Sequence, residues 1–134
     1  MFRDAIAFAV GEDRLIVELS SVEQVLQFQA DQNLLSNLST RSVAITAKST
    51  GQYDFISRYF APKLGIPEDP VTGSIHCALI DYWEKKLLKS EFTALQASQR
   101  SGKLFLKRVD DRVHISGSCI TVLKGDFLFS NSQK

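Results

Sequence analysis

The sequence predicts an α+β domain in which a largely β chain wraps one long central helix. Three observations carry this prediction. The segments read, in order, as a strand, two short helices, two strands, one long helix and a run of strands, so many strands share a single substantial helix. The stretch "IHCALIDYWEKKLL" is apolar over a wide arc formed by Ile75, Ala78, Leu79, Tyr82, Trp83 and Leu87, and such an arc needs cover on several sides. The chain after this helix reads as all-β.

The elements follow one by one. "RLIVEL" (Arg14 to Leu19) alternates and is rich in β-branched residues, as a strand requires. "SSVEQVLQF" opens a helix, with Ser20 and Glu23 at capping-box spacing and Val22, Val25 and Leu26 on one face. "DQNLLSNL" is a second short helix presenting Leu34, Leu35 and Leu38. "SVAITA" (Ser42 to Ala47) is a buried-type strand, and "YDFISRYF" (Tyr53 to Phe60) alternates like another. "APKLGIPEDP" reads as a loop, and the long helix runs from Ser74 to about Lys89, its lysines gathered at the negative end of the helix dipole. "TALQAS", "KLFLKRV", "RVHISG" and "CITVLKGDF" are four strand candidates, with Asp110-Asp111 at the place of a tight hairpin turn.

A length of 134 residues fits a single domain over 1–134, and 44% apolar with 23% charged residues is ordinary for a globular chain. A net charge of +1, with scattered Lys and Arg, gives no electrostatic case for nucleic acid or an anionic membrane. No apolar run approaches the roughly 20 residues of a membrane span. Cys77 and Cys119 have no CxxC partner, so they read as buried thiols in a reducing cytoplasm. With His76 and His114 as the only histidines, no zinc cluster is expected, and the metal expectation is none.

The segment "GIPEDPVTGSIHCALIDYWEKKL" concentrates the chemistry. Pro70 disfavours helical geometry at Asp69, Gly73 permits an unusual backbone angle or a close approach, and Ser74 suits an N-cap. The unpaired N–H groups of a first helical turn form a ready anion site. The side chains of Asp69, Thr72 and Ser74 line the same mouth. An aspartate beside an anion site makes sense for a ligand that carries a carboxylate together with an amino or hydroxyl group. The same residues also have a purely structural reading: Ser74 caps, Gly73 turns and Asp69 holds loop N–H groups. There is no phosphate-loop lysine and no His or Cys partner for a nucleophile.

At "SRYFAPKLGIPEDPVTGSIHCALIDYW", with "QASQRSGKL" and "RVHISGSCITVLKGDF" following in order, the chain closely resembles the PhzF-like (phenazine biosynthesis) isomerase family. The resemblance spans roughly Arg14 to Phe127. It implies a diaminopimelate epimerase-like fold, built as two similar lobes with the active site between them. This chain is similar to the C-terminal lobe, a mixed curved sheet or barrel round one helix. By position, Asp69 and Ser74 match polar catalytic residues. The Gly73-Ser74 backbone matches the part that holds the substrate carboxylate, and Thr72 and His76 join the substrate-binding set, with His76 read first as structural. Where the family usually shows two glycines, this chain has Ser101-Gly102 after Arg100.

The resemblance further implies cofactor-independent proton transfer on a small carboxylate metabolite, with no cofactor or metal. The glutamate that acts as general acid/base in the N-terminal lobe has no motif match here, and Glu68 does not stand at its position. A lone chain is therefore expected to be inactive. The complementary half of the site would come from a second copy, as a homodimer, or from an N-terminal-lobe chain. The alternative expectation is a non-catalytic module that binds a small anion or another protein.

Overall fold

The computed structural model describes residues 2, 3, 5–11 and 13–126. Strand β1 (Ala5–Val10) pairs antiparallel with β2 (Arg14–Leu19). Helices α1 (Val22–Gln27) and α2 (Gln32–Ser36) carry the chain to β3 (Ser42–Lys48), parallel to β2, and β4 (Phe55–Ala61) returns antiparallel. A 3-10 turn (Pro62–Leu64) and strand β5 (Ile66–Asp69), which pairs with β4, lead into α3 (Gly73–Leu87). Strand β6 (Glu91–Gln96) lies parallel to β4, then β7 (Gly102–Val109) and β8 (Arg112–Gly117) follow antiparallel. The eight strands make one sheet in the order β1-β2-β3-β4-β6-β7-β8, with β5 off this path on β4.

Strands β3 and β4 are buried at six of seven positions each, because both faces of the sheet centre are covered, as in parallel sheets. On one face Ile75, Leu79, Ile80 and Trp83 of α3 pack with Ile16, Phe55, Phe92 and Leu106. On the other face Val25 of α1 and Leu35 of α2 close over Val43, Ile45 and Phe60. Trp83 stacks on Phe55 with ring centroids 5.7 Å apart, and its indole N–H donates to Thr46 Oγ1 at 3.1 Å. That bond satisfies the polar end of a residue otherwise sealed in apolar surroundings. Near the carboxyl end of α3, Tyr82 and Lys86 both donate to the buried carboxylate of Glu18. Burial, reinforced by the Glu18 carboxylate, pushes the Tyr82 phenol above its ordinary value.

Several expectations need correction. The capping box sits one residue later: Ser21 is the N-cap and accepts from Gln24 N, while Gln24 Oε1 accepts from Ser20 N at 3.0 Å. Leu26 and Leu34 turn outward, since helices this short bury one side chain each. The expected loop after β4 contains the 3-10 turn and β5. Gly65, at φ 73, is the glycine in this segment that needs the left-handed region. "CITVLKGDF" forms no strand over 119–126, where Ile120, Val122 and Leu123 stand exposed; Phe127 lies outside the described residues. Cys77 and Cys119 are both exposed, not buried. Among the described residues no helix is long and apolar enough to cross a membrane. Asp110-Asp111 does form the two-residue turn between β7 and β8, with Asp110 at φ 52.

Candidate functional site

The site is built where β5 ends and α3 begins. Asp69 is the last residue of β5, held by its pairing with Tyr59 of β4. Pro70 and Val71 then cross to Thr72, the N-cap residue of α3, whose backbone is extended (φ −113, ψ 110). The helix thus starts one residue earlier than the sequence predicts. Ser74 is inside the first turn instead of capping it, and the Thr72 side chain makes no capping bond. It turns away because its hydroxyl donates to Asp69 Oδ2. Gly73 has helical backbone, not an unusual angle. The space in front of it is open, with nothing within 4 Å of where a Cβ would stand. Gly73 and Ser74 are both exposed at the first turn of α3.

Gly73 borders a cleft of about 490 Å³ lined also by Val71, Arg100, Ser101, Gly102 and Ser118. Gly102 is where Val71 crosses closest: an added Cβ would fall 2.3 Å from a Val71 methyl. Ser101 occupies the left-handed region at φ 53, with its N–H donating to Ser98 Oγ at 3.0 Å, and Ser98 donates to Pro70 O at 2.7 Å. The Ser101-Gly102 departure therefore lies in the turn that flanks the cleft.

His76 is fully buried, behind the exposed first turn. Its Nδ1 lies 2.6 Å from Thr72 O, so Nδ1 carries the proton and donates, leaving Nε2 to face Ser57 Oγ at 3.5 Å. Burial holds its protonation well below the ordinary imidazole range, partly offset by the bond to Thr72. A neutral imidazole here braces the turn. Glu68 is also committed: Arg58 grips it in bidentate fashion, Nε to Oε1 at 2.7 Å and Nη2 to Oε2 at 2.9 Å. The same guanidinium donates through Nη1 to the carbonyls of Val25 and Phe28 at the end of α1.

Thus Asp69, Thr72, Gly73 and Ser74 do form one corner, with His76 behind it. The family model for phenazine biosynthesis-like proteins (PhzC-PhzF) matches residues 4–125. The chain belongs to this PhzF-like isomerase family. It is 45% identical over 122 residues to an uncharacterized isomerase of Halalkalibacterium halodurans, covering 89% of this chain and 46% of that protein. It is similar to the crystal structure of a PhzF-family phenazine biosynthesis protein from Enterococcus faecalis (TM-score 0.80, 39% identity, 85% of this chain and 44% of that one). A second likeness is to a putative PhzC/PhzF protein from Clostridium difficile (TM-score 0.76, 38% identity, 87% and 45%). The chain spans about half the length of these relatives.

One residue of the PhzF-like corner escaped the sequence reading. Gln96 is fully buried at the end of β6, on the inward face with Phe92 and Ala94. Its amide bonds Thr72 and Asp69. The available signal was a polar residue at the third inward position of the alternating run "FTALQ".

Proposed function

We propose that this chain contributes one side of the active site of a cofactor-independent isomerase that shifts a proton on a small carboxylate metabolite. The observation that carries the reading is the corner itself: exposed Gly73 and Ser74 open the first turn of α3, Gly73 borders the cleft, and Asp69 is tied to the cap residue Thr72. The first-turn N–H groups and the positive end of the α3 dipole would receive the substrate carboxylate. Asp69, and the exposed Ser74 hydroxyl, would meet a second polar group of the same ligand and act in the catalytic roles. Thr72 orients Asp69 without binding substrate itself.

The proton-transferring carboxylate is assigned to the other half of the site. Glu68 is poorly suited to that task because its two oxygens are held by Arg58. The complementary half would come from an N-terminal-lobe chain or from a second copy across a two-fold axis. Exposed Ile66 and Val71 beside the corner, and Ile120, Val122 and Leu123 after β8, supply apolar surface for such a partner. The decisive experiment assays isomerisation, by deuterium incorporation from heavy water into small carboxylates, for this chain alone and mixed with a separately expressed N-terminal half. Exchange only in the mixture is expected. No exchange in the mixture across a broad acid panel, with the two halves shown to associate, would overturn the catalytic reading.

A second reading, an anion-binding module without chemistry, is favoured by the same engagement of Glu68. It is separated from the first by titration with acetate. Both readings require the Gly73 and Ser74 amide resonances to move, and only the isomerase reading requires exchange.

A further inference from the structure

We propose that Gln96 is a positioning residue for this corner, acting on the ligand-facing groups entirely through Thr72 and Asp69. The inference rests on the reading of the corner as a carboxylate site, and it concerns how that site is held in shape.

Every polar atom of Thr72 is engaged by a side chain, and the side chains come from three different elements. Its N–H donates to Gln96 Oε1 of β6 at 2.8 Å. Its C=O accepts from His76 Nδ1 of α3 at 2.6 Å. Its hydroxyl donates to Asp69 Oδ2 of β5 and accepts from Gln96 Nε2 at 3.2 Å. The other proton of Gln96 Nε2 goes to the Asp69 carbonyl at 2.7 Å. One buried amide therefore grips both ends of the strap Asp69–Thr72.

The donor count fixes the polarity of the arrangement. A flipped Gln96 amide would set NH₂ against the Thr72 N–H and Oε1 against the Asp69 carbonyl, two like pairings in a dry site. With Nε2 donating to the Thr72 hydroxyl, the hydroxyl's one proton is sent to Asp69, which receives it as a carboxylate. The peptide group whose C=O accepts from His76 is also the one whose N–H belongs to Gly73. His76 holds that peptide by its C=O, while Gln96 holds the peptide before it by the Thr72 N–H; Thr72 is thus fixed on both sides, and with it the direction in which the first N–H of the corner points. Gln96 thus couples the Asp69 carboxylate to the N–H groups opposite it.

The test compares Gln96→Glu and Gln96→Met with Thr46→Val. Thr46 is an equally buried polar residue remote from the corner, bonded to Ile56 O and Trp83 Nε1, and its loss reports a purely structural cost. Acetate is titrated into each protein while the Gly73 and Ser74 amide resonances are followed. Losing the Gln96 bonds should weaken acetate about tenfold or more, whereas Thr46→Val should leave the affinity unchanged at a similar loss of stability. Should the Gln96 variants fail to fold, Thr72→Val and Thr72→Ser replace them; the serine variant should keep wild-type affinity and the valine variant should lose it. Gln96 or Thr72 variants that lose stability but keep full affinity would refute the positioning role.

If wild-type protein binds no acetate at these amides, the carboxylate reading fails, and the positioning claim is then read without ligand. Gln96→Glu should shift the Thr72, Gly73 and Ser74 amide resonances more than those elsewhere in α3, and speed exchange of the Thr72 amide that Gln96 holds. Uniform or absent changes would refute it.

Discussion

Replacing Gly102 by alanine would drive a methyl group into the strap that carries Thr72. The new Cβ would lie 2.3 Å from one Val71 methyl, 3.1 Å from the other and 3.3 Å from Val71 Cβ, against the roughly 3.5–4.0 Å of a relaxed carbon contact. Rotating Val71 gives only partial relief, because its χ1 is stiff and its Cβ stays 3.3 Å from the new methyl in every rotamer. Gly102 is not in the left-handed region, so the penalty is steric. It should fall within the overpacking range, about 2 kcal/mol. In a Val71→Ala background both methyls are gone and the nearest remaining Val71 atom is the Cβ at 3.3 Å, so the same alanine should cost less than about 0.5 kcal/mol. The expected coupling is therefore about 1.5 kcal/mol, large for a neighbouring pair and measurable by urea unfolding of the four proteins. Equal costs of Gly102→Ala in the two backgrounds would refute the claim that Val71 and Gly102 are packed to contact.

Three further outcomes are expected. Ser101→Gly should stabilise the protein by about 0.5–1 kcal/mol in urea unfolding, since serine at φ 53 carries a left-handed penalty that glycine avoids. His76 is kept neutral by burial; the unfolded imidazole takes a proton near pH 6.5 and the folded one resists it, so stability is intact above that pH and falls as pH drops through and below it, by at most about 1.4 kcal/mol per unit. That slope should flatten between pH 6.5 and 5 in His76→Gln. Asp69→Ala should weaken binding of hydroxy or amino acids such as lactate and glycine at the Gly73 and Ser74 amides while costing less than about 2 kcal/mol in stability; a larger stability loss with unchanged binding would make Asp69 a brace.

The parts of this fold that were legible in the sequence are those whose burial repeats along a single element. Strands β2 and β8 were bounded to the residue, and α3 was recognised with the lysines of its last turn, because strand alternation and a helical apolar arc are local patterns. Strand β5 was read as loop because Ile66 and Pro67 are exposed and it owes its form to pairing with β4. The converse error fell on "CITVLKGDF", whose composition suits a strand but which is paired in no strand and lies exposed over 119–126. At the candidate corner, Asp69, Thr72, Gly73 and Ser74 were singled out from turn chemistry and family resemblance. Their roles were less legible: Thr72 took the N-cap position expected of Ser74, and His76 proved internal. Gln96 is 24 residues away from Thr72 along the chain, and no local period announces a bond of that kind.

Arg58 has a mechanical consequence. With Glu68 on two of its nitrogens and the carbonyls of Val25 and Phe28 on the third, one cation rivets the outer helical layer to the residue just before Asp69. A lysine there could supply the charge but not the three-way geometry. Any tilt of α1 is thereby transmitted to the strand that ends at Asp69, so damage to the back of the molecule should be felt at the start of α3.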